Sequence, residues 1–171
     1  MEFWSSMSLR SAITDRPADR EVSVPQTHRN EEVRVIKINA IEHVSWAAPA
    51  LDTAQKTLAL FGFGPTGEEA IPSQDVQTTY FETPSGVRFE VIRPASDHSH
   101  LKHFLAKRGP GLHHVCFQVA NLDDACRQVR AAGGELVGEI FADSRGRHAF
   151  VHPKWTGGVL IGMIELHPGL K

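Results

Sequence analysis

Apolar and polar residues alternate from Val115 to Val119, with Val115, Phe117 and Val119 on one side. That is the period of a strand burying one face. An Asp-rich turn then leads into a helical pattern. Shifted back by 71 positions, the stretch Gly111–Asp124 (GLHHVCFQVANLDD) falls without a gap on Ala40–Thr53 (AIEHVSWAAPALDT). His43 meets His114, Val44 meets Val115, Leu51 meets Leu122 and Asp52 meets Asp123. Ile41 falls on Leu112 and Trp46 on Phe117. The far ends also correspond, now offset by 72: Gly86 with Gly158, Val87 with Val159, Phe89 with Ile161 and Ile92 with Ile164. Two copies at so long a period predict fused half-domains, because a solenoid needs about three repeats or more.

The first copy reads as a strand from about Val35 to Trp46, ending at Pro49. A helix follows from Leu51 to Phe61, with Leu51, Ala54, Leu58 and Phe61 at helical spacing. Asp52 suits the positive end of its dipole, and Gly62 and Gly64 end it. Strands over Phe63–Ala70, Val76–Glu82 and Val87–Arg93 complete the copy, the last two joined by a Pro84-Ser85-Gly86 turn. Between the copies, Pro94–Gly111 contains a predicted helix, Ser99–Arg108. The second copy has a strand Leu112–Val119 and a helix Leu122–Ala132 stopped by Gly133-Gly134. Its further strands are Glu135–Phe141, His148–His152 and Val159–Glu165. The expected fold class is α+β, two βαβββ modules over about residues 36–94 and 111–167 with a helical connector at 95–110. Residues 1–32 carry no regular period and are expected to be a disordered extension before a domain at 33–171.

Bulk properties narrow the function. The 171 residues suffice for one domain with a real core. A net charge of −2, with no Lys/Arg cluster, argues against a nucleic-acid partner. No apolar run approaches the ~18 residues that span a bilayer, and no apolar secretory segment opens the chain. The expected setting is cytoplasmic, with Cys116 and Cys126 as reduced, buried thiols rather than a disulfide. A homodimer is the default expectation for a soluble protein.

The duplication also points to chemistry. It places His43 and His114 at equivalent strand positions, where they can face each other across a shared cleft. Glu90, on the last strand of the first copy, joins them if its face turns inward. Two imidazoles and a carboxylate suit one divalent ion (iron, manganese, cobalt, nickel or zinc) with positions left open for water or substrate. The competing reading of each histidine is a hydrogen-bonded core residue.

The two-copy plan, with IEHV opening one copy and GLHHVCFQV the other, resembles the vicinal oxygen chelate superfamily. Within it, the methylmalonyl-CoA epimerase family is the most similar. FEVIRP at Phe89–Pro94 looks like that family's first-copy closing strand. HFLAKRGPGLHHVCFQV, from His103 to Val119, looks like its central signature. HPK at His152–Lys154, with GGVLI at Gly157–Ile161, looks like its last hairpin. The resemblance covers about residues 36–166. It implies a curved mixed sheet around a cleft and a metal held by His43, Glu90 and His114, with His114 rather than His113 as the ligand.

Two positions depart from the family pattern. Its fourth ligand, also a proton-transfer base, is a glutamate directly after GGVLI; here Gly162 stands there. Its other base matches Thr78. Epimerisation beside a thioester removes a proton and returns one from the opposite face, so something of suitable pKa must carry it. Glu165 is one candidate, provided a bulge near Gly162 re-aims it, because regular alternation puts it on the far face. Tyr80, of the same parity as Thr78, is the other. Gln74 in a loop over the cleft, Thr78 and Lys154 are candidate substrate contacts, Lys154 for a phosphate-bearing tail. His113 is expected to point away from the cleft, and His98, His100 and His103 to lie on a solvated helix face. The expected function is a metal-dependent, epimerase-like enzyme acting on a small acyl substrate, with coenzyme A thioesters among the candidates. A glyoxalase-like isomerase, an iron(II) dioxygenase and a non-catalytic binding protein are the alternatives.

Overall fold

The structure, a computed structural model, describes residues 35–170, so the expected N-terminal extension lies outside the described residues. In chain order the strands are β1 (Ile38–Ala47), β2 (Pro65–Ile71), β3 (Val76–Glu82), β4 (Arg88–Pro94), β5 (Gly111–Val119), β6 (Leu136–Ala142), β7 (Gly146–Val151) and β8 (Leu160–Leu166). The helices are α1 (Leu51–Leu60) after β1, α2 (His100–Arg108) in the connector and α3 (Leu122–Ala131) after β5. Local chemistry sets the helix starts. Asn121 Oδ1 accepts from the Asp124 amide (2.7 Å) ahead of α3, and Ser99 Oγ accepts from the Leu101 amide (3.3 Å) ahead of α2. Strand β7 begins two residues before the expected His148, because Gly146 pairs with Leu166 across a surface too close for any side chain. A Cβ there would lie 2.2 Å from the Glu165 carbonyl oxygen.

The eight strands form one sheet in the order β2-β3-β4-β1-β5-β8-β7-β6. Each half contributes four neighbouring strands, and the halves meet where β1 runs antiparallel to β5. Within each half the first strand pairs parallel to the last, β1 with β4 and β5 with β8. The order is therefore symmetric about the β1–β5 seam, as a twofold-related duplication requires. The expected α+β fold of two βαβββ modules is what the chain adopts.

Strand alternation divides the sheet into two faces. On one, α1 lays Ala54 and Leu58 on Phe81 and Val91. On the same face, α3 lays Leu122, Ala125, Cys126 and Val129 on Ala149, Val151 and Met163. Burial of each large side chain among these stabilises the fold by roughly 1.5–3 kcal/mol. The opposite face is left for the cleft. Both cysteines are free and buried. Among the described residues, no helix is long and apolar enough to cross a membrane.

Candidate active site

The ladders explain why three distant residues converge. Ser45 on β1 stands opposite Glu90 on β4 and opposite His114 on β5. Residues directly opposed across a ladder project from the same face, so Glu90 and His114 flank the seam on the cleft side. His43, two residues before Ser45, shares that face by the period of two. His43 Nε2 lies 3.0 Å from His114 Nε2 and 3.5 Å from Glu90 Oε1, and His114 Nε2 lies 3.6 Å from the same oxygen. All three side chains are buried. Ligands held about 2.1 Å from one ion, at angles between square and tetrahedral, lie about 3.0–3.4 Å apart. The His43–His114 distance falls in that range and the two to Glu90 lie just above it, close enough for the three to hold one divalent cation.

The next shell fixes which nitrogens face inward. The β1 register shifts between Ile41 and His43, so neighbours Glu42 and His43 are both buried. His43 Nδ1 donates to the Glu42 carboxylate, which turns Nε2 toward the triangle. Glu42 also accepts from Arg88 Nη2 (2.5 Å) and from Arg145 Nη2 (2.9 Å) and Nε (3.2 Å). Burial raises the Glu42 pKa, but the hydrogen bond and charge of His43, then Arg88 and Arg145, outweigh it and bring it to about 2. Burial opposes protonation of His43, whereas Glu90 and Glu42 favour it and prevail. Two carboxylates thus create a field that welcomes positive charge. In the other half, His113 Nδ1 lies 3.0 Å from His114 Nδ1. Burial, and then the three imidazoles around it, push the His114 pKa well below the ordinary value, so it stays a neutral donor.

The cleft above the triangle has an open space of ≈ 510 Å³. Gln74, Thr78 and Tyr80 line it, with Ile71, Val76 and Ile92. Thr78 is fully buried, and its Oγ1 has no hydrogen-bond partner. Tyr80 donates its hydroxyl to Glu69 Oε2 (3.0 Å), which also accepts from Ser144 Oγ (2.6 Å) in the β6–β7 turn. Burial first, then Glu90 and Glu69, push the Tyr80 pKa up.

Three expectations need correction. Glu165 does not reach the cleft. Strand β8 keeps unbroken register with β5 and β7 around Gly162, so no bulge turns it. Its Oε2 instead accepts from the Leu122 amide (2.7 Å), where a carboxylate suits the N-terminus of α3. Lys154 is exposed on the β7–β8 connection, outside the residues that line the cleft. His113 does not point away: it lines the cleft against His114, with Phe104 edge-on at 4.7 Å. His100 is exposed, as expected of a solvated helix face, and it also borders the cleft.

Sequence reasoning missed the Glu42–Arg88–Arg145 cluster and the pair Asp143 and His148. The Asp143–His148 pair lies in the cleft wall with Phe141 and Phe150. A signal existed for Glu42, which the 71-residue shift places on His113. The same symmetry locates the open quarter of the site. Gly162 stands opposite Cys116 on β5, as Glu90 stands opposite Ser45 on β1. A Cβ at Gly162 would lie 2.9 Å from Cys116 Sγ and 3.1 Å from its Cβ.

Known proteins share this architecture. Residues 42–151 match the Glyoxalase/Bleomycin resistance protein/Dioxygenase superfamily. The ethylmalonyl-CoA/methylmalonyl-CoA epimerase of Cereibacter sphaeroides is 30% identical over 75% of this chain and 99% of its own. The crystal structure of methylmalonyl-CoA epimerase from Mycobacterium tuberculosis superposes with a TM-score of 0.72 at 32% identity, over 77% of this chain and 90% of that one. A Streptomyces coelicolor methylmalonyl-CoA epimerase variant in complex with 2-nitronate-propionyl-CoA gives 0.69 at 27% identity, over 76% and 99%. With a twinned βαβββ sheet, a cleft at its seam and these relatives, the chain belongs to the Glyoxalase/Bleomycin resistance protein/Dioxygenase superfamily and is an enzyme of methylmalonyl-CoA epimerase type.

Proposed function

We propose that the protein is a divalent-metal-dependent enzyme that labilises the proton on the carbon beside an acyl-CoA carbonyl. His43, Glu90 and His114 would hold the ion. The observation that carries this reading is the buried triangle of 3.0, 3.5 and 3.6 Å between their donor atoms. A bound divalent ion would supply Lewis-acid stabilisation of the enolate oxygen. The chain's own residues do the rest. Thr78 Oγ1, buried without a partner, is a hydrogen-bond donor for a substrate oxygen. Gln74 is a second polar contact at the cleft wall. Ile71, Val76 and Ile92 exclude water from the reacting carbon. Tyr80, its pKa pushed up, is a proton donor rather than a base. The named substrates of the relatives, methylmalonyl-CoA and ethylmalonyl-CoA, are the first to test, in a cytoplasmic and homodimeric enzyme.

The test is solvent deuterium exchange into methylmalonyl-CoA and ethylmalonyl-CoA by cobalt-loaded protein, alongside metal analysis of protein purified without chelator. Exchange above buffer and close to one metal per chain are expected. No exchange with either thioester rejects the reading. One observation favours a second reading. Gly162 leaves a two-histidine, one-carboxylate set with open positions, the arrangement used by non-haem iron oxygenases. Oxygen uptake by iron-loaded protein with catechols or 2-keto acids, without deuterium exchange, would select it.

A further inference from the structure

We propose that His148, oriented by Asp143, is a proton carrier on one side of the cleft, in a site whose Thr78 and Gly162 positions carry no carboxylate. This rests on the enolate reading above. The ladders place His148 at the symmetry-related position of Thr78. Thr78 stands opposite Ile92, two residues beyond Glu90, and His148 stands opposite Ile164, two residues beyond Gly162. Both residues therefore line the same cleft from its two sides. The ring is held firmly: it stacks on Phe141 at 4.9 Å with planes 11° apart, and its centroid is 6.4 Å from that of His43.

Asp143 makes the pair a dyad. Its Oδ2 lies 2.8 Å from His148 Nε2, off the line of an aligned hydrogen bond. Such bonds often tighten only when substrate is present. The other oxygen, Oδ1, accepts from the Arg145 amide (2.8 Å) and the Gly146 amide (3.0 Å). Burial raises the Asp143 pKa, but His148 and these two amides outweigh it, so the carboxylate stays ionised beside the ring. Packing alone does not call for this pair, since apolar residues of similar volume fill such sites as well or better.

The Asp143 carboxylate 2.8 Å from Nε2 favours the tautomer that carries its proton there, which leaves the lone pair of His148 on Nδ1. In the step, the bond from the reacting carbon to hydrogen breaks and the proton passes to Nδ1. The bonding pair becomes the carbon–carbon π bond of the enolate, and the carbonyl π pair moves to oxygen. Asp143 stays ionised and balances the imidazolium. The reverse step returns a proton, or a deuteron after exchange with solvent, and no other reactant is consumed.

The test measures deuterium exchange by the cobalt-loaded full chain for wild type, His148→Gln and Asp143→Asn. Expected for His148→Gln is a fall in kcat of about 100-fold or more, the usual contribution of a general base. Cobalt content and KM should stay within about twofold of wild type, and added imidazole should restore part of the rate to His148→Ala. Asp143→Asn should lower kcat about tenfold with KM unchanged, a split that a purely structural role would not give. If His148→Gln keeps more than about a third of the wild-type rate, the inference is wrong while the enolate reading stands. If His148→Gln does not fold, full kcat in Asp143→Asn overturns it equally. Failure of the wild type to exchange either thioester overturns the enolate reading, and this inference with it.

Discussion

Glu42 and His113 occupy the same place in the two halves, 71 positions apart, and each engages Nδ1 of the histidine that follows it. The duplication thus preserved a supporting position while its chemistry diverged. On one side a carboxylate, itself clamped by Arg88 and Arg145, accepts from the ring. On the other, a second imidazole holds it.

Glu42 is the costlier of the two to remove. Glu42→Gln keeps the shape but removes the charge opposite two guanidinium groups. Breaking a buried pair this way is expected to destabilise by about 3–5 kcal/mol. Metal affinity should fall about 10–100-fold, because His43 loses the partner that fixes its tautomer. Urea denaturation and competition against a chelating dye measure the two effects. Unchanged affinity in a folded variant would rule out the supporting role.

His113 makes a pH prediction. Burial, and then His100, lower its pKa from the ordinary 6.5 to about 4. The folded state therefore resists a proton that the unfolded chain accepts. The sign follows from linkage: stability is fully present above about 6.5 and is lost as pH falls toward 4. Metal-free wild type should lose about 2 kcal/mol between pH 7 and 5 from His113 alone. His114, depressed in the same direction, adds to the loss. In His113→Gln the drop should be smaller by about that amount. Equal drops in the two proteins would contradict the assignment.

Metal removal should be visible without any assay of turnover. An ion bound only by the folded state stabilises by about 2.7 kcal/mol at 100 times its Kd. For a domain of this size that raises Tm by roughly 5–10 °C. Cobalt, manganese and zinc added to chelator-treated protein should all produce shifts, of unequal size. Glu90→Ala and His114→Ala should abolish them. A full shift in either variant would place the ion elsewhere.

Much of this is legible in the sequence. The 71-residue register predicted twin modules and paired His43 with His114, because a duplicated strand keeps its residues on equivalent faces. Glu90 followed from the last strand of the copy. Strict alternation, however, reads β1 as if it were regular. The register shift before His43 buries Glu42 beside it, so a parity argument sends Glu42 to the wrong side. The same error sent His113 outward. Asp143 and Arg145 lie in a hairpin turn, where no period exists to say which way a side chain points. Glu165 failed for the opposite reason: the plain alternation was right, and the bulge invoked to escape it is absent.

Gly162 is where the site departs furthest from its own symmetry. The second half has a glycine where the first has Glu90, and the space is not empty. Cys116 Sγ and Cβ sit within 2.9 and 3.1 Å of where a Cβ would go. Cys116 is fully buried, so it has little freedom to withdraw. Gly162→Glu alone should therefore destabilise the fold by about 1–3 kcal/mol through overpacking, and more if the carboxylate is left unpaired. Adding Cys116→Ala removes the sulfur in the way. The double variant should recover most of the lost stability and bind cobalt more tightly than wild type, since it offers a fourth ligand. Calorimetric titration and a shift in the cobalt absorption bands report that gain. A double variant whose cobalt affinity is unchanged would show that Gly162 does not face the ion, and one as unstable as the single variant would show that Cys116 is not what crowds the position.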